Sequence, residues 1–417
     1  MNGQKMLYYL QVLNLTELIL HRAFFLDTNS SPLKTDIESL PLLLRKHGYY
    51  TIAFVSNNYA SVDTLGIRNG YDIAPPIIVF RLLRNSLRSF VINNAHRLLS
   101  RLYEGKIKYY DWIIREDFVL SIVLQGISHD FSETDAPPEE IFNSFLETIE
   151  QNHKEPFFAW LHIFPPHDPY LPPEPYMGMF DASQNLRTFR SMWFATNNIG
   201  EPHLVKDTEA TNRTLRDRYD EFIRYCDVQF EEFMKQLRLR NKLKNTIIIL
   251  SSDHGEGFLE HNYYGHGGAL WEEVTHIPLI IKEPDKTEGR VIDSLTSLID
   301  VPATILDLAK IPIPSWMEGR SLVPFMRGKE RTAIPVFSMV LQANPSQKGK
   351  ITKGMVAVWE GNYKLIHYLD KGNSIMFNLK EDPNELNDLF DKRQAIGQHL
   401  LLLIKENLEK VNEVTYE

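Results

Sequence analysis

An α/β fold is predicted: a mainly parallel sheet sandwiched by helices, followed by a small C-terminal antiparallel α+β subdomain. Two observations predict the first part. Helical spacing of apolar residues gives way repeatedly to β-branched and aromatic runs, the alternation of an α/β sheet. Potential ligands gather directly after those runs, where such sheets bind their ligands. A third observation predicts the subdomain: late in the chain, strand-like runs flank Gly361-Asn362, a two-residue hairpin signal.

The first clear unit is "TDIESLPLLLRKHGYYTIAFVSNN", from Thr35 to Asn58. Leu40, Leu43 and Leu44 fall at helical spacing, Gly48 stops the helix, and "YTIAFVS" is a strand. Residues 81–108 form a basic amphipathic stretch with Glu104 as its one acid. That stretch reads as a solvated helical face, with docking to a membrane surface or an acidic partner as the other reading. A helix over 138–151 then leads to the strand "FFAWLHIF" and a Pro-rich loop. Residues 176–207, irregular and aromatic, are expected to form a surface loop.

A long amphipathic helix, with Leu215, Phe222, Phe230, Phe233 and Leu237 on its apolar face, feeds the strand "NTIIIL". "HIPLIIK" is a further strand and "LIDVPATILDLAKI" a helix. After Gly328, "GMVAVWEGNYKLIHYL" and "SIMFNL" supply three short strands, and "KEDPNELNDLF" opens a terminal helix. The expected division is an α/β domain over 1–325 and the subdomain over 326–417.

Composition narrows the function. With 43% hydrophobic and 24% charged residues in 417, the chain is an ordinary globular protein. Its net charge of −9 argues against nucleic-acid partners. An anionic substrate stays open, because a metal ion and a few histidines reverse the sign locally. Cys226, the single cysteine, forms no internal disulfide. No apolar run is long enough for a transmembrane helix, and the N-terminus lacks a signal-peptide pattern. As written the chain is expected in the cytoplasm, with room for an upstream signal peptide if its start is truncated.

The densest chemistry is "LSSDHGEGFLEHNYYGHGG", residues 250–268. Asp253 and His254 leave the strand together, and a carboxylate and an imidazole can both ligate a divalent cation. Gly255 permits a sharp exit. The same pair also reads as a helix cap beside a solvent-facing histidine. His167 follows "FFAWLHIF" between prolines that restrict its backbone, a presentation suited to a general acid or an anion contact, or else a plain turn histidine. His162, inside the strand, reads as a satisfied sheet histidine. His266 sits among Gly265, Gly267 and Gly268, in a loop that either reaches over a cleft or is simply mobile.

These fragments, taken in order, resemble the sulfatases of the alkaline-phosphatase superfamily. The resemblance runs from about Ser39 to Leu389 and includes "LLLRKHGYYTIAFVSN", "EPFFAWLHIFPPHDPYLPP", "NTIIILSSDHGEGFLEHNYYGHGG" and "GNYKLIHYLDKGNSIMFNLKEDPNELNDL". It implies that Asp253 and His254 are metal ligands and that His167 is catalytic, contacting the transferring group or protonating its leaving oxygen. It implies that His266 and Asn57 bind substrate, with Ser56 or Asn58 as alternatives to Asn57. The implied cofactor is a divalent metal, Ca²⁺ first and Mn²⁺ or Mg²⁺ next. The implied substrate is an anionic sulfate or phosphate ester.

One part of the family pattern finds no match. Relatives begin with a strand ending in acidic metal ligands, then a helix presenting the nucleophile. Within residues 1–38, Asp27 is isolated, and Thr28, Ser30 and Ser31 lie too close to the following helix. The expectation is therefore a sulfatase-like hydrolase that is impaired or inactive as this chain stands. Phosphodiester or phosphonate monoester hydrolysis, phosphoglycerol transfer, and a non-catalytic anion- or partner-binding remnant are the alternatives.

Overall fold

The computed structural model describes residues 6–11, 38–57, 60–75, 136–201, 203–284, 286, 288–329, 334–343 and 351–414. The basic stretch 81–108, and Asp27, Thr28, Ser30 and Ser31, lie outside the described residues.

The strands of the main sheet are β1 (Met6–Gln11), β2 (Tyr50–Val55), β3 (Phe157–His162), β4 (Thr246–Ser251) and β7 (Leu279–Lys282), in the order β2-β3-β1-β4-β7. Between them run α1 (Leu40–Lys46), α2 (Pro138–Asn152), α3 (Phe189–Asn198), α4 (Thr208–Leu239), the β5–β6 hairpin (Gly257–Phe258 and Tyr264–Gly265) and a short α5 (Glu272–Thr275). Then come α6 (Asp300–Leu308), α7 (Val323–Met326), β8 (Val336–Ala343), β9 (Ile351–Glu360), β10 (Tyr363–Tyr368), β11 (Asn373–Asn378) and α8 (Gln394–Val414).

Strand periodicity divides the main sheet between two layers of helices. Ala53, Val55, Phe158, Trp160, Ile247 and Ile249 face the side of α1 and α6. Their alternates Ile52, Phe54, Phe157, Ala159 and Ile248 face α2 and α4. Strands buried on both faces read as continuous apolar runs, as "YTIAFV" and "TIIILS" do. The helices start where local chemistry favours it. Pro138 and the first-turn acids Glu139 and Glu140 open α2, and the Asp207 side chain caps α4 by accepting from Ala210 N at 2.9 Å.

The expected mainly parallel sheet is corrected by the strand pairings. β2–β3, β3–β1 and β1–β4 are parallel. β7 joins β4 antiparallel, β5 pairs β6 antiparallel, and the four-stranded sheet β11-β10-β9-β8 is antiparallel throughout. For β9, β10 and β11 the reason is connection length. A parallel pair needs a crossover, whereas the short turns at Gly361-Asn362 and around Gly372 return the chain beside itself.

Three local expectations also change. Residues 176–207 contain α3, started by a capping box between Thr188 and Ser191. The C-terminal sheet gains β8, whose register with β9 includes Val336 opposite Trp359. "KEDPNELNDLF" stays in turns, and the terminal helix begins only at Gln394.

The C-terminal sheet is covered on both faces. Val356, Val358, Leu365 and Met376 pack with Leu400 and Ile404 of α8. Ala357, Trp359 and Ile366 pack against Leu270 and Trp271, directly after the Gly-rich loop of His266.

Candidate active site

The parallel strands β2, β3, β1 and β4 end at one edge of the sheet. Gln11, the last residue of β1, stands opposite Ser251 at that edge. Asn57 follows β2 and is half-buried, His167 follows β3, and Asp253 follows β4.

Asp253 and His254 face each other. The His254 backbone N–H donates to Asp253 Oδ1 at 2.9 Å, and Asp253 Oδ2 lies 3.6 Å from His254 Nε2. His254 Nδ1 is 2.8 Å from the Gly255 carbonyl oxygen, which can only accept, so Nδ1 carries the proton. Burial lifts the Asp253 carboxyl above its ordinary range, against the pull of the neighbouring His254 and His266.

His266 comes over the top of this pair. Its imidazole stacks on His254 with centroids 4.0 Å apart and planes 24° from parallel. Its Nδ1 is 3.2 Å from both carboxylate oxygens of Glu256, a side chain only 6% exposed. Gly265 and Gly267 both have φ near +90° (+88° and +87°), which L side chains rarely adopt, so the loop turns at His266 because glycines flank it.

His167 meets His266 edge-on, with ring centroids 5.3 Å apart. Its ring lies on Phe164, and its Nδ1 is 2.7 Å from the Asp168 carbonyl and 3.0 Å from Asp168 Oδ1. Burial alone would depress this imidazole. The Asp168 carboxylate and carbonyl outweigh burial, with the Glu256 charge behind them, and its pKa is raised. Tyr170, buried against Tyr219 and Phe258, ties the His167 loop to the hairpin that leads to His266.

His162 lies one step deeper. It is 3% exposed, its Nδ1 is 3.4 Å from Ser56 Oγ, and burial pushes its pKa down to about 4. It is a neutral sheet histidine beneath the site.

The chain thus brings His167, His254 and His266 ring to ring, with Asp253 beside them. The donor set also fits a divalent cation. One ion at about 2.3–2.6 Å from each ligand can touch two atoms separated by the 3.6 Å between Asp253 Oδ2 and His254 Nε2. The Gly255 carbonyl on Nδ1 is the outer contact that fixes a metal-binding tautomer.

A second group was not singled out in the sequence as a unit. His261, Glu273 and Glu385 hold potential ligand atoms within 4.8 Å of one another. His261 Nδ1 is 2.8 Å from Glu273 Oε1, its Nε2 is 3.1 Å from the Asn384 carbonyl, and its ring stacks on Trp271 at 4.0 Å. Glu385 is more than 100 residues from His261, so the only local signal was "EH" in the Gly-rich loop.

The fold is that of the sulfatase/alkaline-phosphatase superfamily. A family model described as Sulfatase matches residues 12–311, and the chain belongs to that family. A second model, described as N-sulphoglucosamine sulphohydrolase, C-terminal, matches residues 259–414. Arylsulfatase K of Xenopus laevis is 26% identical over 278 residues, 59% of this chain and 50% of that one. An arylsulfatase of Clostridium perfringens is 25% identical over 293 residues, 66% of this chain and 59% of its own. This chain therefore spans between half and two thirds of those relatives.

Among solved structures, a Bacteroides thetaiotaomicron protein assigned as a sulfatase superposes with TM-score 0.65 at 14% identity, covering 99% of this chain and 93% of that one. The phosphonate monoester hydrolase of Agrobacterium radiobacter gives 0.64 at 16% identity, covering 98% and 90%. At these identities the likeness is one of fold. Among the described residues no helix is long and apolar enough to cross a membrane.

Proposed function

We propose that this chain binds the sulfuryl group of a sulfate ester at the cluster of His167, His254 and His266. Asp253 and His254 would hold a divalent cation, Ca²⁺ by the resemblance to the sulfatases, with Mn²⁺ or Mg²⁺ next. The observation that carries the reading is the ring-to-ring convergence of three histidines beside a buried carboxylate. When bound, the cation would neutralise charge on the ester oxygens.

The residues themselves have separable roles. His167, whose pKa the Asp168 contacts raise, donates in its protonated form to an ester oxygen or to the leaving oxygen. His266, oriented by Glu256, offers its Nε2 to the anion. Asn57, at the end of β2, is proposed as a further polar contact to the same anion.

Hydrolysis is proposed to be impaired in the chain as written. The strand β1, "MLYYLQ", carries no acidic residue, and the first acid after it is Glu17. Loss of members of a catalytic unit costs on the order of 10⁴–10⁶ in rate.

The test is calorimetry of the full chain with sodium sulfate, with and without CaCl₂, alongside hydrolysis of 4-nitrophenyl sulfate and an aryl phosphonate monoester. Sulfate binding should strengthen with Ca²⁺ and lose that gain in Asp253→Ala. Absence of any sulfate binding would reject the site assignment. Rapid Ca²⁺-dependent cleavage of the aryl sulfate would reject the impairment, and preferential cleavage of the phosphonate would reassign the substrate class.

A further inference from the structure

The C-terminal subdomain contains a lysine with no exposed surface. Lys364, on β10, has a side chain 0% exposed, and its Nζ lies 2.7 Å from Glu385 Oε1 and 3.0 Å from Glu272 Oε1. Its ammonium also sits 4.7 Å over the Trp359 ring. Burying a cation is costly unless it is paired, so such a position implies a tightly fixed surrounding.

What is fixed is the first residue of α5. Glu272 Oε1 accepts from Lys364 Nζ and, at 2.9 Å, from Trp359 Nε1. The Glu272 backbone N–H donates to Glu385 Oε2 at 2.7 Å. Three residues of the C-terminal subdomain therefore grip one residue of the α/β domain.

From α5 the contact passes by backbone alone. Val274 O accepts the Gly255 N–H at 2.8 Å. Glu273 O lies 2.1 Å from where a Gly255 Cβ would stand, so the two main chains touch. The Gly255 carbonyl in turn accepts His254 Nδ1 at 2.8 Å, and the next residue, Glu256, holds His266.

We infer that Lys364 is a positioning residue for the histidine cluster: through Glu272 and the α5 backbone it sets Gly255, and Gly255 sets the tautomer and orientation of His254. Lys364 does not touch the anion. Its contribution is to make the C-terminal subdomain part of the site's geometry and not merely a cover for the sheet. The inference rests on the proposed anion site only for its affinity readout; the ring geometry is measured without a ligand.

The experiment compares full-length Lys364→Met with Leu400→Ala. Leu400, on α8, packs against the opposite face of the same sheet, in a cluster that does not include Glu272. The readout is the ¹⁵N–¹H spectrum of the histidine side chains, with inorganic sulfate affinity measured in parallel. Lys364→Met should shift the His254 Nδ1 and Nε2 resonances away from the Nδ1–H pattern and weaken sulfate at least tenfold. Leu400→Ala should lower the unfolding temperature and leave both unchanged. If Lys364→Met does not fold, Trp359→Phe, which removes one donor to Glu272 and keeps the lysine, should give the same His254 shifts in smaller degree. His254 resonances unchanged in the folded variant, or moved equally by Leu400→Ala, would overturn the inference. A wild-type chain that binds no sulfate but shows the Lys364-dependent shifts would reject the anion site and keep the relay.

Discussion

The imidazoles of His254 and His266 lie nearly parallel, with centroids 4.0 Å apart, although twelve positions separate them in the chain. Each has its Nδ1 occupied by a protein oxygen: the Gly255 carbonyl for His254 and the Glu256 carboxylate for His266. Both rings therefore keep Nε2 for a ligand. His266→Phe preserves the ring and its stack while removing both nitrogens. A hydrogen bond to a charged group contributes roughly 1.5–3 kcal/mol, so sulfate affinity should fall about 10- to 100-fold. Calorimetry checks this, and an unchanged affinity would place the sulfate away from His266.

His167 supplies a pH dependence. Its folded pKa is raised, because the contacts with Asp168 and the charge of Glu256 outweigh burial. A raised histidine contributes stability that is fully present below its unfolded value of about 6.5 and is lost as pH rises through the folded pKa. The protonated form is also the one that binds an anion. Sulfate affinity should therefore hold through about pH 6.5 and decline above it. Asp168→Asn removes the largest favourable contact, so the decline should move to lower pH. Calorimetric titration at a series of pH values measures both curves, and coincident curves would remove Asp168 from the account.

His162 has the opposite sign. Burial depresses it from 6.5 to about 4, so the unfolded chain takes up the proton first on acidification. Its neutral form contributes stability that is present above about pH 6.5 and is lost as pH falls toward 4. The full effect is about 3 kcal/mol. Urea unfolding between pH 6.5 and 4.5 should show this slope in the wild type and a shallower one in His162→Gln. Equal slopes would mean that His162 is not the group responsible.

The sequence made some features legible and hid others for physical reasons. Asp253, His254 and His167 were visible because each directly follows a long apolar run, and strand ends are where a parallel sheet gathers its ligands. His266 was visible through its glycines, although nothing local indicated that Glu256 would hold it. The role of Lys364 was hidden, since "GNYKLIHYL" reads as an ordinary strand and its partners Glu272 and Glu385 are distant in the chain. Strand direction was also poorly legible. β7, "LIIK", is as apolar as its parallel neighbours, and only its pairing with β4 shows that it runs the other way. α3 was hidden because two of its aromatic residues lie on its exposed face, Trp193 and Phe194 at 40% and 45% exposed, while its buried face rests on Met192 and Ala195.

Gly255 gives the most local test of how the site is built. Its N–H donates to Val274 O, its carbonyl accepts from His254, and a Cβ placed on it would stand 2.1 Å from Glu273 O. The clash is with backbone, which cannot rotate away as a flexible side chain would. Gly255→Ala must therefore push α5 and the 253–256 segment apart. Overpacking of this kind costs roughly 1–3 kcal/mol, and here the displaced segment carries His254 and Glu256. Thermal unfolding should show that loss, and sulfate affinity should fall with it. Gly200→Ala is the matched control. Nothing lies within 4 Å of the Cβ it would add, so its stability should stay within about 0.5 kcal/mol of wild type. If Gly255→Ala were as neutral as Gly200→Ala, the close approach of α5 to the strand exit would be wrong, and the support of the histidine cluster from the C-terminal side would fail with it.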